Sequence, residues 1–203
     1  EYLRVEGDAE VMQRLKVDQS GQRVSVWVKD GGNFFNWFGH GKGRIRIVLR
    51  VKNLEYLELS GGAHAEVGDL KSAGLVVKHS GAANSDFAKL EVGDLRMDLS
   101  GAANARVSAL VSREQDFDLS GASQMEIKNA STTESIKADV SGASSLKAKM
   151  INAKTARLMA SGASHIELSV SDALEADASG ASSINYYGNA KAKTNSSGAS
   201  HVN

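Results

Sequence analysis

The stretch that decides the fold is Leu57-Glu58-Leu59-Ser60-Gly61-Gly62-Ala63-His64-Ala65-Glu66-Val67, because close copies of it recur along the rest of the chain. Its Ser-Gly dipeptide returns with spacings of 20, 20, 20, 21, 20, 18 and 18 residues, at Ser60, Ser80, Ser100, Ser120, Ser141, Ser161, Ser179 and Ser197. A period this regular is the signature of a solenoid, in which each repeat packs on the next. The repeated region is therefore expected to be a stack of similar coils.

The length of the repeat and its residue pattern indicate which type of solenoid the chain forms. Repeats of two helices need about 33 to 47 residues, so a unit of about 20 leaves the leucine-rich repeat and the parallel β-helix. Alternations such as Leu57-Glu58-Leu59 and Met97-Asp98-Leu99 have the two-residue period of strands. The sequence therefore predicts an all-β, right-handed parallel β-helix, its handedness following the general preference of crossover connections.

Each predicted coil has one strand before Ser-Gly, a second after it and a third about ten residues beyond the serine. The inward column of the third strand is expected to be Leu70, Leu90, Leu110, Ala130 and Ile151. Glycine after each serine is expected to supply a backbone angle, or a closeness of approach, that a Cβ would block. These structural turn residues are Gly61, Gly81, Gly101, Gly121, Gly142, Gly162, Gly180 and Gly198.

The chain is expected to form one domain over residues 1–203, with Ser-Gly repeats over 57–203 and a cap of irregular strands over 1–56. Apolar alternation in residues 10–17, 23–28 and 44–51 predicts those strands, which we interpret as early coils and a cap. A solenoid must cover its terminal apolar layer and its strand edge. Oligomerisation through the solenoid ends is the alternative way to cover them.

Composition excludes several classes of protein. The 24 basic and 24 acidic residues leave no net charge to attract nucleic acid or an anionic membrane. No apolar run approaches the 18 or so residues that a membrane span requires. The absence of cysteine excludes a disulfide framework and a thiolate zinc site. We expect no cofactor, apart from the calcium site considered below.

The arrangement resembles the putative auto-transporter adhesin head domain, also called the GIN domain, of bacterial envelope proteins. The resemblance rests on Arg44-Ile45-Arg46-Ile47-Val48-Leu49 leading into Leu54-Glu55-Tyr56-Leu57-Glu58-Leu59-Ser60-Gly61, on the recurrent Ser-Gly-Ala-Ser, and on Tyr187-Gly188-Asn189-Ala190 before Ser196-Ser197-Gly198-Ala199-Ser200. It implies a secreted or cell-envelope β-helical protein of Gram-negative bacteria, of unknown function and with no established enzymatic role. The expected location is the periplasm, the outer-membrane surface or the extracellular space.

An aromatic insertion over residues 30–43 is the first candidate binding site. Glycines flank Phe34, Phe35, Trp37 and Phe38 there. Exposed aromatic side chains on a loop stack on sugar rings or dock on a protein partner. The structural alternative is a hairpin tip that folds back over the core.

A column of acids two residues before each repeat serine is the second candidate. It contains Asp98, Asp118 and Asp139, which would stand roughly 5 Å apart, one per coil. Carboxylates so placed could bind Ca²⁺ or act as the paired acids of a glycosidase. A solvated face balanced by Lys and Arg is the structural alternative.

The polar column four residues beyond each serine is predicted to be structural, with side chains stacked in hydrogen-bonded ladders. Its members are His64, Asn84, Asn104, Gln124, Ser145, His165, Ser183 and His201. The sequence thus favours a non-enzymatic, exported adhesin or scaffold that binds a glycan or a surface protein. The alternatives are a polysaccharide-acting β-helix enzyme that uses the acidic cluster and a self-assembling structural module.

Overall fold

A computed structural model describes residues 2–7, 12–28 and 45–203. The aromatic insertion, with Phe34, Phe35, Trp37 and Phe38, lies outside the described residues. The described chain forms two compact units, residues 1–52 and residues 53–203. The description of the whole chain as one solenoid domain stays a prediction.

The first unit contains two antiparallel strand pairs. β1 (Tyr2–Gly7) pairs with β4 (Ile45–Arg50), and β2 (Leu15–Ser20) pairs with β3 (Arg23–Val28). The predicted strands are therefore present, although β2 begins at Leu15, well inside the predicted range. The interpretation of this region as early coils is wrong, because coil strands pair in parallel. Its role as a cap stays a prediction.

The second unit contains thirteen strands. In chain order they are β5 (Tyr56–Leu59), β6 (His64–Val67), β7 (Leu70–His79), β8 (Asn84–Leu99), β9 (Asn104–Val111), β10 (Glu114–Leu119), β11 (Gln124–Ile127), β12 (Ser131–Val140), β13 (Ser145–Ala160), β14 (His165–Gly180), β15 (Ser183–Tyr187), β16 (Lys191–Gly198) and β17 (His201–Val202).

All strand pairs of the second unit are parallel, and equivalent residues of successive repeats lie opposite each other. Tyr56 pairs with Val76, Met97 with Phe117, and Phe117 with Ala138. The strands form a β-solenoid of about seven turns. The predicted parallel β-helix is confirmed, while its right-handed sense stays a prediction.

The core runs along the inside of the coils, where the alternating apolar side chains stack. Fully buried examples are Val77, Met97 and Phe117 before Ser-Gly and Val107 and Leu168 after it. In the third-strand column Leu90, Leu110 and Ile151 are buried as predicted.

Ala130 is a wrong assignment in that third-strand column. Ser131 pairs with Ile151 and is buried, whereas Ala130 is exposed. The Ser131 hydroxyl donates to the carbonyl of Leu110, which satisfies its polar group inside the core. The interval from Ser120 to Ser141 has 21 residues, and the extra residue displaces the column by one position.

The turn after each serine brings consecutive coils close together. All eight turn glycines have positive φ, between 67° at Gly61 and 77° at Gly121 and Gly198. The Gly61 carbonyl accepts a hydrogen bond of 2.7 Å from the Ala82 amide, and this contact recurs from coil to coil. From Gly81 onward, a Cβ on the glycine would collide with the glycine carbonyl of the preceding coil. Left-handed backbone and close approach therefore both require glycine here.

Candidate functional site

The acid column forms an unbroken row across the coils. Each member pairs in register with the next, and Asp118 lies between Asp98 and Asp139. The full row, called the acid column below, is Glu58, Lys78, Asp98, Asp118, Asp139, Met159, Asp177 and Asn195. The sequence predicted this order correctly because the strand register follows the Ser-Gly period.

Positive charge balances only one end of the three-aspartate run. Arg96 Nε lies 3.0 Å from Asp98 Oδ1, and Lys78 Nζ lies 4.0 Å from Asp98 Oδ2. Within the described residues, Asp118 and Asp139 have no ion pair within 4.0 Å. Two adjacent coils therefore present neighbouring carboxylates without a direct counter-charge.

This arrangement changes the acidity of Asp118. Partial desolvation raises the pKa of the Asp118 carboxyl, and the carboxylates of Asp139 and Asp98 raise it further. The Arg96 guanidinium opposes that change. The Asp118 carboxyl therefore holds its proton to a higher pH than an ordinary aspartate.

A groove of about 350 Å³ runs beside the acid column over four consecutive coils. Carboxylates, one ammonium group and a row of serines line it; the lining residues are Glu58, Lys78, His79, Ser80, Asp98, Leu99, Ser100, Asp118 and Ser120. We call this feature the serine-acid groove. The groove was not predicted from the sequence, in which only the glycine of each Ser-Gly turn was given a role.

The groove is held in place by backbone contacts. The Ser100 hydroxyl lies 3.2 Å from the His79 carbonyl oxygen and donates to it. Ser80, Ser100 and Ser120 each donate a backbone N–H to the coil before, at 2.9 to 3.0 Å. The groove wall is therefore part of the rigid coil-to-coil ladder.

The three aspartates lie in a line, one per coil, along the groove side of the solenoid. In the part of the chain that the structure describes, no three acids or histidines converge as metal ligands. The calcium assignment for Asp98, Asp118 and Asp139 stays a prediction, to be tested by adding Ca²⁺.

The polar column beyond Ser-Gly lies on the next face of each coil. Asn104 Nδ2 donates to Asn84 Oδ1 at 3.0 Å, and Ser183 Oγ lies 3.1 Å from His201 Nε2. These contacts link neighbouring coils side chain to side chain. The column thus contains the ladder contacts that its sequence predicted.

Two features become significant only in the folded chain. His79 occupies an inward position and is 2% exposed, although alternation alone gave it no special role. Lys149 Nζ lies 4.1 Å from the centroid of the Tyr187 ring, a cation–π contact between residues 38 positions apart. Only the folded chain shows which residues are brought together in these two places.

Residues 53–203 form a parallel β-solenoid, in which one residue position recurs from coil to coil along the strand register. The chain belongs to the family described as putative auto-transporter adhesin, head GIN domain, which it matches over residues 1–190. The family description is that of an adhesin-type head domain.

Solved structures of similar fold come from Parabacteroides. A putative adhesin from Parabacteroides merdae has a TM-score of 0.85 and 19% identity, with 98% of this chain and 81% of that chain covered. A putative adhesin from Parabacteroides distasonis has a TM-score of 0.84, 19% identity and coverage of 98% and 82%. At this identity the likeness shows the fold alone.

A third structure of similar fold is called a putative lipid binding protein from Parabacteroides distasonis. It has a TM-score of 0.83 and 18% identity, with 99% of this chain and 82% of that chain covered. No curated protein matches the chain with significance. Among the described residues, no helix has the length and apolar character needed to cross a membrane.

Proposed function

We propose that this chain is a non-enzymatic, exported binding module of the bacterial envelope, which holds a glycan along the serine-acid groove. The observation that supports the proposal most is the groove itself, which spans four coils, with a carboxylate from three of them and a serine from three of them. Consecutive strands are about 4.8 Å apart, so hydroxyl and carboxylate groups recur at that interval. A polymer rich in hydroxyl groups offers partners at comparable intervals.

The chemistry of the lining suits a hydroxylated ligand. Asp98 and Asp118 supply carboxylate acceptors, Lys78 supplies a donor, and the serine hydroxyls can do both. Because the groove is open to water, each contact contributes little by itself, and affinity comes from several coils acting together. A surface protein that presents hydroxyl and basic side chains is the alternative partner.

The aromatic insertion is a second proposed contact. Phe34, Phe35, Trp37 and Phe38 would stack on sugar rings. The two proposed contacts are separable, because one is removed by changing aspartates and the other by changing aromatic residues.

Cleavage of a polysaccharide is the competing function, and Asp118 is the observation that favours it. A carboxyl with a raised pKa beside the Asp98 and Asp139 carboxylates resembles an acid paired with a nucleophile. The same residue type in three successive coils argues for repeated binding contacts instead, because catalysis would require one coil that differs from its neighbours.

The proposal is tested by binding of the purified chain to a broad panel of bacterial and host glycans, with and without Ca²⁺. The groove variant Asp98→Asn/Asp118→Asn should lose at least tenfold in affinity, and Trp37→Ala/Phe38→Ala should report on the insertion. Asp177→Asn, in the same column but outside the groove, is the matched control and should bind normally. Equal binding by the wild type and the groove variant would contradict the assignment of the groove as the binding site. If the chain binds no glycan of the panel, a protein partner would be favoured.

A further inference from the structure

Among the buried residues that the structure describes, His79 is the one whose charge can change near neutral pH. It lies at the end of β7, in a column that contains Leu99, Leu119 and Val140 in the following coils. Those three residues are fully buried, and His79 itself is 2% exposed. Among the buried residues that the structure describes, no Asp, Glu, Lys or Arg occurs. An ionisable side chain therefore takes a place that is apolar elsewhere in the stack.

No side chain among the described residues forms a hydrogen bond or an ion pair with the His79 ring. Neither Nδ1 nor Nε2 has a hydrogen-bond partner within the described structure, and the hydroxyl of the buried Ser85 in the same coil is also unpaired. Burial lowers the pKa of His79, and a backbone group of Asn104 close to the ring opposes this effect. The neutral ring is thus the form that fits the core.

The charged groups on every strand around His79 lie on the outer face. They are Glu58 on β5, His64 and Glu66 on β6, Lys71 and Lys78 on β7 itself, Asp86, Lys89, Glu91, Asp94, Arg96 and Asp98 on β8, and Arg106 on β9. Lys78 and Asp98 alternate with the buried His79 and Leu99, so they point away from the core. A proton on His79 would therefore have no carboxylate beside it inside the coil.

We propose that His79 is an acid-sensitive switch in the first coils of the solenoid, and that its protonation opens β5 and β7. Among described strands, β5 pairs only with β7, so this part of the stack has fewer strand contacts to hold it closed. The same coils carry Glu58, Lys78 and Ser80, so opening also dismantles one end of the serine-acid groove. The switch is a property of the fold and needs no ligand, so it is tested separately from the proposed function.

The direction of the pH effect follows from proton binding. In the unfolded chain His79 has its ordinary pKa of 6.5, and in the folded chain the pKa is lower. Between those two values the open state binds more protons, so stability is full above pH 6.5 and is lost as the pH falls. One proton changes the opening equilibrium by at most about tenfold for each pH unit in this window.

The test is hydrogen exchange of the full chain, read by mass spectrometry on peptides from residues 55–79, at pH 7.5 and pH 5. Wild type is compared with His79→Leu at each pH, which cancels the intrinsic pH dependence of exchange. The ratio of wild-type to variant exchange rates should rise severalfold or more between pH 7.5 and pH 5. An unchanged ratio would overturn the switch.

Two further variants test whether the pH response comes from His79 itself. His79→Gln retains a polar side chain that does not titrate, so it should show no additional opening at pH 5 even if His79→Leu folds poorly. His64→Asn removes an exposed histidine of the neighbouring strand and should keep the wild-type pH response. A pH response that survives in His79→Gln, or disappears in His64→Asn, would also overturn the proposal.

Discussion

The turn glycine sets how closely two coils approach each other. Gly101 has a φ of 76°, and its carbonyl accepts a hydrogen bond of 2.7 Å from the Ala122 amide. A Cβ on Gly101 would lie 2.6 Å from the Gly81 carbonyl oxygen, whereas a Cβ on Gly61 would meet no atom within 4 Å. The two glycines therefore separate the effect of backbone angle from the effect of crowding.

Alanine at these two glycines should destabilise the solenoid to different degrees. Gly61→Ala should lower the free energy of unfolding by about 1 to 2 kcal/mol, because only the left-handed backbone opposes it. Gly101→Ala should lower it by about 1 to 3 kcal/mol more, because the methyl group forces two turns apart. Urea unfolding followed by circular dichroism measures both values. Equal losses would show that coil spacing at the turn tolerates a side chain.

Asp118 gives a second prediction, of opposite pH dependence to that of His79. Because the pKa of Asp118 is raised in the folded chain, its contribution to stability is present at acid pH and is lost as the pH rises through that pKa. Asp118→Asn should therefore raise stability at pH 7, by a few tenths of a kcal/mol at this exposed site.

The measurement for Asp118 is the difference in unfolding free energy between variant and wild type at pH 7 and pH 4. The gain should be larger at pH 7, where the three carboxylates repel each other. Asp177→Asn is the control, because Asp177 accepts a hydrogen bond of 2.6 Å from Asn195 and should gain nothing from the change. A loss of stability in Asp118→Asn at pH 7 would contradict the electrostatic account.

At the scale of strands, side-chain ladders add to the backbone pairing between coils. The Asn84–Asn104 contact joins β8 to β9, and Asn84 Nδ2 also donates to the Ala82 carbonyl at 2.8 Å. Gln124 continues the column but forms no side-chain hydrogen bond among the described residues. The column thus contains a bonded member and an unbonded one at equivalent positions.

Removal of the amide should distinguish those two members. Asn104→Ala should lower the free energy of unfolding by about 1 kcal/mol, the usual net contribution of one hydrogen bond. Gln124→Ala should change it by less than about 0.5 kcal/mol. Thermal and urea unfolding of the two variants provide the comparison. If the Gln124 variant lost as much stability as the Asn104 variant, burial and strand propensity would explain the column better than hydrogen bonding.

Strand order and register were predictable wherever the period was regular, since one Ser-Gly spacing fixes which residues meet. The error at Ala130 arose where the period lengthens by one residue, because a spacing does not show where in the coil the extra residue lies. In residues 1–52 alternation predicted strands but not their partners, and β1 pairs with β4 across an insertion. Alternation of apolar and polar residues shows which side of a strand faces the core. The direction in which two strands pair depends on the segments that connect them.

The functional features were less predictable, for a related reason. The acid column follows from the register, so Asp98, Asp118 and Asp139 were aligned from the sequence alone. The sequence did not predict that Ser80 and Ser100 line one groove with that column. Within the described part of the chain, the lack of a hydrogen-bonding side chain around the His79 ring depends on residues from several strands. A local sequence pattern does not show which strands come together there.

At the scale of the whole molecule, the inward residues of the repeats maintain the fold, while the outward residues determine the chemistry of the surface. Each coil of residues 53–203 contacts mainly its neighbours, so stability is close to a sum over coils and their interfaces. Outward residues are then free to vary without loss of the fold, as Lys78 and Met159 do within the acid column. Function in such a protein is expected to reside in a few coils, here those lining the groove.

Retention of a glycan without cleavage is the central claim, and one experiment measures both events in the same samples. The chain is incubated with the panel glycans at pH 5 and pH 7, and bound ligand and released fragments are quantified together. We predict saturable binding at pH 7 that weakens in Asp98→Asn/Asp118→Asn, with every ligand recovered intact. Shortened products that disappear in Asp118→Asn, or no saturable binding to any glycan, would contradict the claim.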